Sequence, residues 1–152
     1  VTPPNVETLD AGTPVGCASA FFDALEPHLP NLATLSSESD SYWYEFQELS
    51  TNSGTITLDE LRSVFVHVGP DTEGVFEEED WDDDLAFVIE QFIDSQAAQA
   101  TLDAVEDIFS QHLTDITYVH FGAMMDVEHY FLRVGRSACG EILGLWALVI
   151  WT

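Results

Sequence analysis

Three runs near the end of the chain decide the fold: ITYVHF at residues 116–121, VEHYFLRV at 127–134 and ILGLWALVIW at 142–151. Each is dense in β-branched and aromatic residues and short enough to be a strand. Gly135 to Gly140 supplies turn chemistry between the last two, so they read as a hairpin. The third run is apolar along its whole length rather than alternating, the mark of a strand covered on both faces. It is also about half of the roughly 20 residues that a membrane-spanning helix needs, so no span is expected there.

Upstream, the pattern changes period. Leu85, Val88, Ile89, Phe92 and Ile93 follow the i, i+3, i+4, i+7, i+8 stripe of an amphipathic helix, and Leu102, Val105, Ile108, Phe109 and Leu113 repeat it, as a continuation or as a second helix. Thr57 to Glu60 has the T-x-x-E spacing of a capping box, predicting a short helix over about 58–66. Tyr42 to Phe46 reads as a strand fed by the polar loop Ser36 to Ser41. Ala18, Phe21, Phe22 and Leu25 fall at helical spacing from Cys17, with Pro27 and Pro30 limiting that helix downstream. Residues 1–16, which hold Pro3, Pro4 and Pro14, read as an extended arm before a single domain over 17–152.

Charge is the anomaly. The 152 residues carry 28 Asp+Glu against 3 Lys+Arg, a formal net charge of −25. The three bases are Arg62, Arg133 and Arg136, and there is no lysine. Such a surface repels polyanions, so direct nucleic-acid binding is excluded. With hydrophobic residues at 46%, the chain still has enough to bury to fold. Nine of the fourteen residues from Asp71 to Asp84 are acidic, and mutual repulsion predicts a solvated stretch. Bases depleted this far point either to a strongly positive partner or to life in high salt.

Motifs for enzyme chemistry are absent. His28, His67, His112, His120 and His129 make no zinc-binding pattern and read as strand or helix-surface residues. Cys17 and Cys139, 122 positions apart, make no CxxC motif, and whether they bridge stays open. A Cys/His nucleophile pair is permitted by composition but not indicated. The acidic run lacks the Gly and Glu positions of a calcium loop. No enzyme activity and no cofactor are therefore expected. Trp81 stands among Asp80, Asp82, Asp83 and Asp84, where a large apolar side chain either staples a helix start or anchors a partner.

Ser36-Ser37-Glu38-Ser39-Asp40 before an aromatic strand, Asp80-Trp81 at the head of an acidic-tipped helix, and the closing hairpin from Gly135 to Thr152 together resemble the nuclease A inhibitor family, small acidic inhibitors of sugar-nonspecific endonucleases. The likeness runs from about Phe21 to Thr152. It implies an α+β fold, a single α-β-α sandwich around a largely antiparallel sheet similar to plant pathogenesis-related class 1 proteins. It further implies a monomer that binds one nuclease 1:1, mimicking the DNA phosphate backbone. Glu38, Trp81 and Thr152 would carry the contact, with Ser39, Asp82 and Trp151 beside them and Thr152 near the partner's catalytic Mg²⁺. The metal would belong to the partner, no membrane would be involved, and the setting would be cytoplasmic. On this reading, Trp81→Ala or loss of Thr152 costs binding with little loss of fold.

The chain departs from the family pattern between Trp81 and Val119, which is longer, and in its arm to Gly16. Its total lack of lysine exceeds what inhibition requires and suggests a saline host. At 1 M salt the screening length is only about 3 Å, so close contacts would have to carry affinity. The alternative is a salt-adapted acidic binding or scaffold domain with no nuclease partner.

Overall fold

The computed structural model describes residues 17–34, 42–48, 55–57, 61, 76–78, 81, 95–121 and 127–150. The described elements are α1 (Cys17–Leu25), a 3-10 helix (Glu26–Asn31), β1 (Tyr44–Glu48), β2 (Phe76–Glu78), α2 (Ser95–His112), β3 (Leu113–Phe121), β4 (Glu128–Ser137) and β5 (Ile142–Ile150). The strands form one antiparallel sheet in the order β1-β5-β4-β3-β2. The protein is thus α+β, with helices packed on an antiparallel sheet.

The apolar run of β5 explains its central position. Ile142 through Val149 are all buried, as a strand flanked by neighbours and covered on both faces must be. Leu143, Leu145, Ala147 and Val149 face the cluster formed with α1 and α2, while Ile142, Trp146 and Leu148 face a second cluster that includes Phe46, Ile56 and Leu61. On the helical side, α2 buries Ala98, Leu102, Val105 and Phe109 along one stripe, and Phe21 of α1 meets Phe109 edge-on at 5.2 Å between ring centroids. Gly144 is needed on β5 beside β4, since a Cβ there would lie 1.9 Å from the Arg133 carbonyl oxygen.

The sequence reading holds for α1, α2 and the closing three strands to within a few residues. Pro27 and Pro30 limit the α-helix as expected: it ends at Leu25, and the chain tightens into a 3-10 turn in which one proline takes an early position that needs no N–H donor. Two differences have physical causes. The Gly135 to Gly140 link is shorter than expected: β4 runs on to Ser137, and Gly140 at φ 87 makes the turn. Phe76–Glu78, inside the acidic run expected to be solvated throughout, pairs with β3 as a three-residue edge strand. Such a short edge leaves little unpaired backbone for a second chain to add to. Of the helix predicted over 58–66, Leu61 is described: it is helical, and its N–H donates to the Thr57 carbonyl oxygen at 3.1 Å. The helix predicted from about 84 and the arm over 1–16 lie outside the described residues. No described helix is long and apolar enough to cross a membrane.

Candidate functional site

Trp81 is the described member of the sequence-predicted set, and it is a core residue. It is 2% exposed and belongs to the helical-side cluster. Its ring lies 5.1 Å from Trp43 and 5.1 Å from Tyr118, both edge-on. Of the two roles its sequence setting allowed, a staple at a helix start or a partner anchor, burial fits the first: the indole surface that a partner would need is already taken by protein. An apolar side chain in a charge run leaves water wherever a pocket is within reach, and the Trp43, Tyr118 and Arg133 side chains make one.

Arg133 closes that pocket. Its guanidinium sits 5.3 Å from the Trp81 ring centroid and 5.8 Å from that of Phe109, and its Nη2 donates to Glu106 Oε2 at 2.7 Å. The Arg133 side chain is 15% exposed. Arg136 is more deeply buried and donates from Nη1 to the Gly140 carbonyl oxygen at 3.1 Å, bracing the β4–β5 turn. Both described arginines therefore serve internal roles, and every exposed charged side chain among the described residues is a carboxylate. Asp23 on α1, Asp103 and Asp107 on α2, Glu45 on β1, Asp115 in β3 and Glu128 at the start of β4 are among them.

Glu38, Ser39, Asp82, Trp151 and Thr152 lie outside the described residues. The register nevertheless fixes where the chain enters and leaves the sheet. Tyr44, the first residue of β1, pairs with Trp146, and β5 ends at Ile150, so the chain enters β1 and exits β5 at the same end of the sheet. Trp43, one residue before β1, donates its indole N–H to the Ala33 carbonyl oxygen at 2.8 Å and touches Trp81. Trp81 is thereby packed beside the entry to β1.

Two polar constellations escaped the sequence reading. His120 and His129, expected on a surface, are 2% and 0% exposed, and their ring nitrogens Nε2 and Nδ1 share a hydrogen bond of 2.6 Å. His120 stacks on Phe131 at 4.5 Å. Burial, and secondarily the neighbouring His129, pushes the His120 pKa down to about 4, so the ring is neutral at physiological pH. Burial also pushes the Tyr130 phenol upward, with Glu128 adding to it. The signal was the alternation Tyr118-x-His120 and His129-x-Phe131, which puts the histidines on the same face as aromatic core residues.

The second constellation is the bridge between Cys17 and Cys139, whose Cα atoms are 6.2 Å apart. Neither sulfur is a free thiol, which removes the basis of a Cys/His nucleophile pair in this state. The bridge ties the start of α1 to the β4–β5 turn, and the Glu141 carboxylate lies beside it. Spacing alone left this pairing open because two cysteines so far apart in sequence meet only through the fold.

No protein-family model matches this chain, and no curated protein matches it.

Proposed function

We propose that this protein is a stoichiometric inhibitor of a sugar-nonspecific, Mg²⁺-dependent endonuclease, occupying the phosphate-binding cleft of the enzyme as a globular polyanion. The observation that carries the reading is the disposition of charge. Both described arginines are spent on internal contacts, so the exposed charge on the described surface is entirely negative. A cleft lined with Lys and Arg to hold a duplex, which carries one negative charge per roughly 1.7 Å of axis, would accept such a surface on the same terms.

The resemblance to the nuclease A inhibitor family assigns the contact to Glu38, Trp81 and Thr152, with Ser39, Asp82 and Trp151 beside them; with Trp81 buried, the others would carry it. It is supported by the shared end of the sheet at which the chain enters β1 and leaves β5. Trp81 has a different role in this reading: it roots the acidic segment to the sheet from within. A three-layer α-β-α sandwich similar to plant pathogenesis-related class 1 proteins is the finer fold we infer, supported by the apolar clusters on both sheet faces. The Cys17–Cys139 bridge favours an encounter outside a reducing cytosol, since disulfides persist where the compartment is oxidising. That argues against the cytoplasmic expectation.

A second reading is favoured by a separate observation. The exposed acids of the described residues are not confined to one element but occur on both helices, β1, β3 and the start of β4. Such spreading is what a salt-adapted surface needs, and it suits an acidic binding or scaffold domain with no nuclease partner. Titrating an endonuclease of this class with the protein at low and at molar salt separates the two. An inhibitor abolishes cleavage at one equivalent, whereas a salt-adapted domain leaves cleavage unchanged at micromolar excess.

A further inference from the structure

The junction between α1 and the β4–β5 turn carries chemistry that the proposed inhibition does not use. Cys17 is half-buried, Cys139 is exposed and Glu141 is 7% exposed. The two sulfurs and a carboxylate oxygen of Glu141 all lie within 4.8 Å of one another. Burying a carboxylate has a cost unless something compensates it. Among the described residues, the side-chain partner of Glu141 is Ser137, whose Oγ donates to Oε1 across a long 3.4 Å. The same Ser137 oxygen accepts from the backbone N–H groups of Cys139 and Glu141, at 3.2 and 3.3 Å. The Ser137 N–H donates to the Glu141 carbonyl oxygen at 2.9 Å, and the Gly140 N–H to the Ser137 carbonyl oxygen at 3.0 Å. The turn thus holds Cys139 and Glu141 in a fixed relation, with Cys17 brought to them by α1.

We propose that this junction is a redox-gated zinc site. When a dithiol reductant opens the Cys17–Cys139 bond, the reductant is oxidised to its own disulfide and two protein thiols are formed. Zn²⁺ then binds the two sulfurs as they release their protons, together with one oxygen of Glu141, which leaves the fourth tetrahedral position to water. Two thiolates and a carboxylate form a donor set that zinc accepts, with metal–sulfur distances near 2.3 Å and a sulfur–sulfur separation of roughly 3.8 Å. Cα atoms 6.2 Å apart leave room for that separation without moving the helix off the sheet. The exposed side of Cys139 provides the entry path for both reductant and metal. The bridge and the metal are alternative ways of fastening α1 to the turn, one for oxidising and one for reducing surroundings. The site is independent of any nuclease.

The test is a Co²⁺ titration of the full chain, oxidised and after dithiol reduction with the reductant removed under anaerobic conditions. The reduced chain should bind one Co²⁺ with thiolate-to-cobalt charge-transfer absorption that Zn²⁺ abolishes, and the oxidised chain should show no such absorption. Glu141→Gln should weaken Co²⁺ binding by more than about tenfold while keeping the absorption, and Cys139→Ser should lose most of it. If reduction unfolds the chain, one equivalent of Zn²⁺ should restore its far-ultraviolet circular dichroism, and failure to restore it overturns the proposal. Charge-transfer absorption missing from the reduced chain, or Glu141→Gln binding as tightly as the wild type, overturns it as well.

Discussion

Acid should weaken this fold through one buried imidazole. His120 takes a proton at 6.5 when unfolded but only at about 4 when folded, because burial and then His129 oppose the charge. Above the higher value both states are neutral and the ring has no effect on stability. Between the two values the unfolded chain binds a proton that the native chain refuses, so stability is lost as pH falls through this window. Below the lower value both states are protonated and the loss is complete. A gap of roughly 2.5 units corresponds to about 3 kcal/mol, at about 1.4 kcal/mol per unit. That is a large part of the 5 to 15 kcal/mol typical of a domain. The many carboxylates complicate a single curve, because their protonation relieves repulsion in the same range and acts in the opposite direction. A comparison with His120→Gln isolates the imidazole: the amide can still hydrogen-bond His129 Nδ1 but does not titrate. Urea unfolding of both proteins, followed by tryptophan fluorescence from about pH 7 to about pH 4, should show the wild type losing about 3 kcal/mol relative to the variant. A difference between the two that stays constant across the window would refute the reasoning.

Other outcomes follow from the same packing. Trp81→Ala should cost about 3 to 5 kcal/mol of stability in urea unfolding, because it empties a site bounded by Trp43 and Tyr118. The variant that remains folded should still inhibit, since the ring faces inward. Glu106→Ala, which strips Arg133 of its carboxylate, should cost about 2 kcal/mol, while replacing both residues by apolar ones should cost less. Reducing the Cys17–Cys139 bridge in the presence of a chelator should lower stability by about 5 kcal/mol on the chain-entropy view, given the 122-residue separation it closes. A melting temperature indifferent to reductant would contradict this.

The sheet was largely legible because its signals are local and redundant. An apolar strand, a Gly-bounded turn and two neighbouring runs dense in β-branched and aromatic residues agree with one another over 116–151, and the core of α2 follows from its stripe. What escaped was decided by contacts distant in sequence. His120 and His129 look like surface residues until β3 and β4 are paired. Arg133, set in the apolar run Phe131 to Val134, was a warning of a buried charge, but its partner Glu106 lies on α2 and could not be named from spacing. Trp81 was ambiguous for a related reason: an aromatic within a charge run is either drawn inward or left outside, and only the presence of Trp43 and Tyr118 beside it decides which. The β1–β5 register, which brings the start of β1 and the end of β5 to one end of the sheet, also rests on pairing rather than on any motif.

The most direct test of the polyanion reading is a stoichiometric titration of a purified sugar-nonspecific endonuclease, with DNA cleavage followed at low salt and again near 1 M. The account predicts loss of cleavage at one equivalent, with the inhibited enzyme regaining activity when the chain lacks Thr152. Cleavage that continues at full rate under micromolar excess of the intact protein, at both salt concentrations, would contradict it.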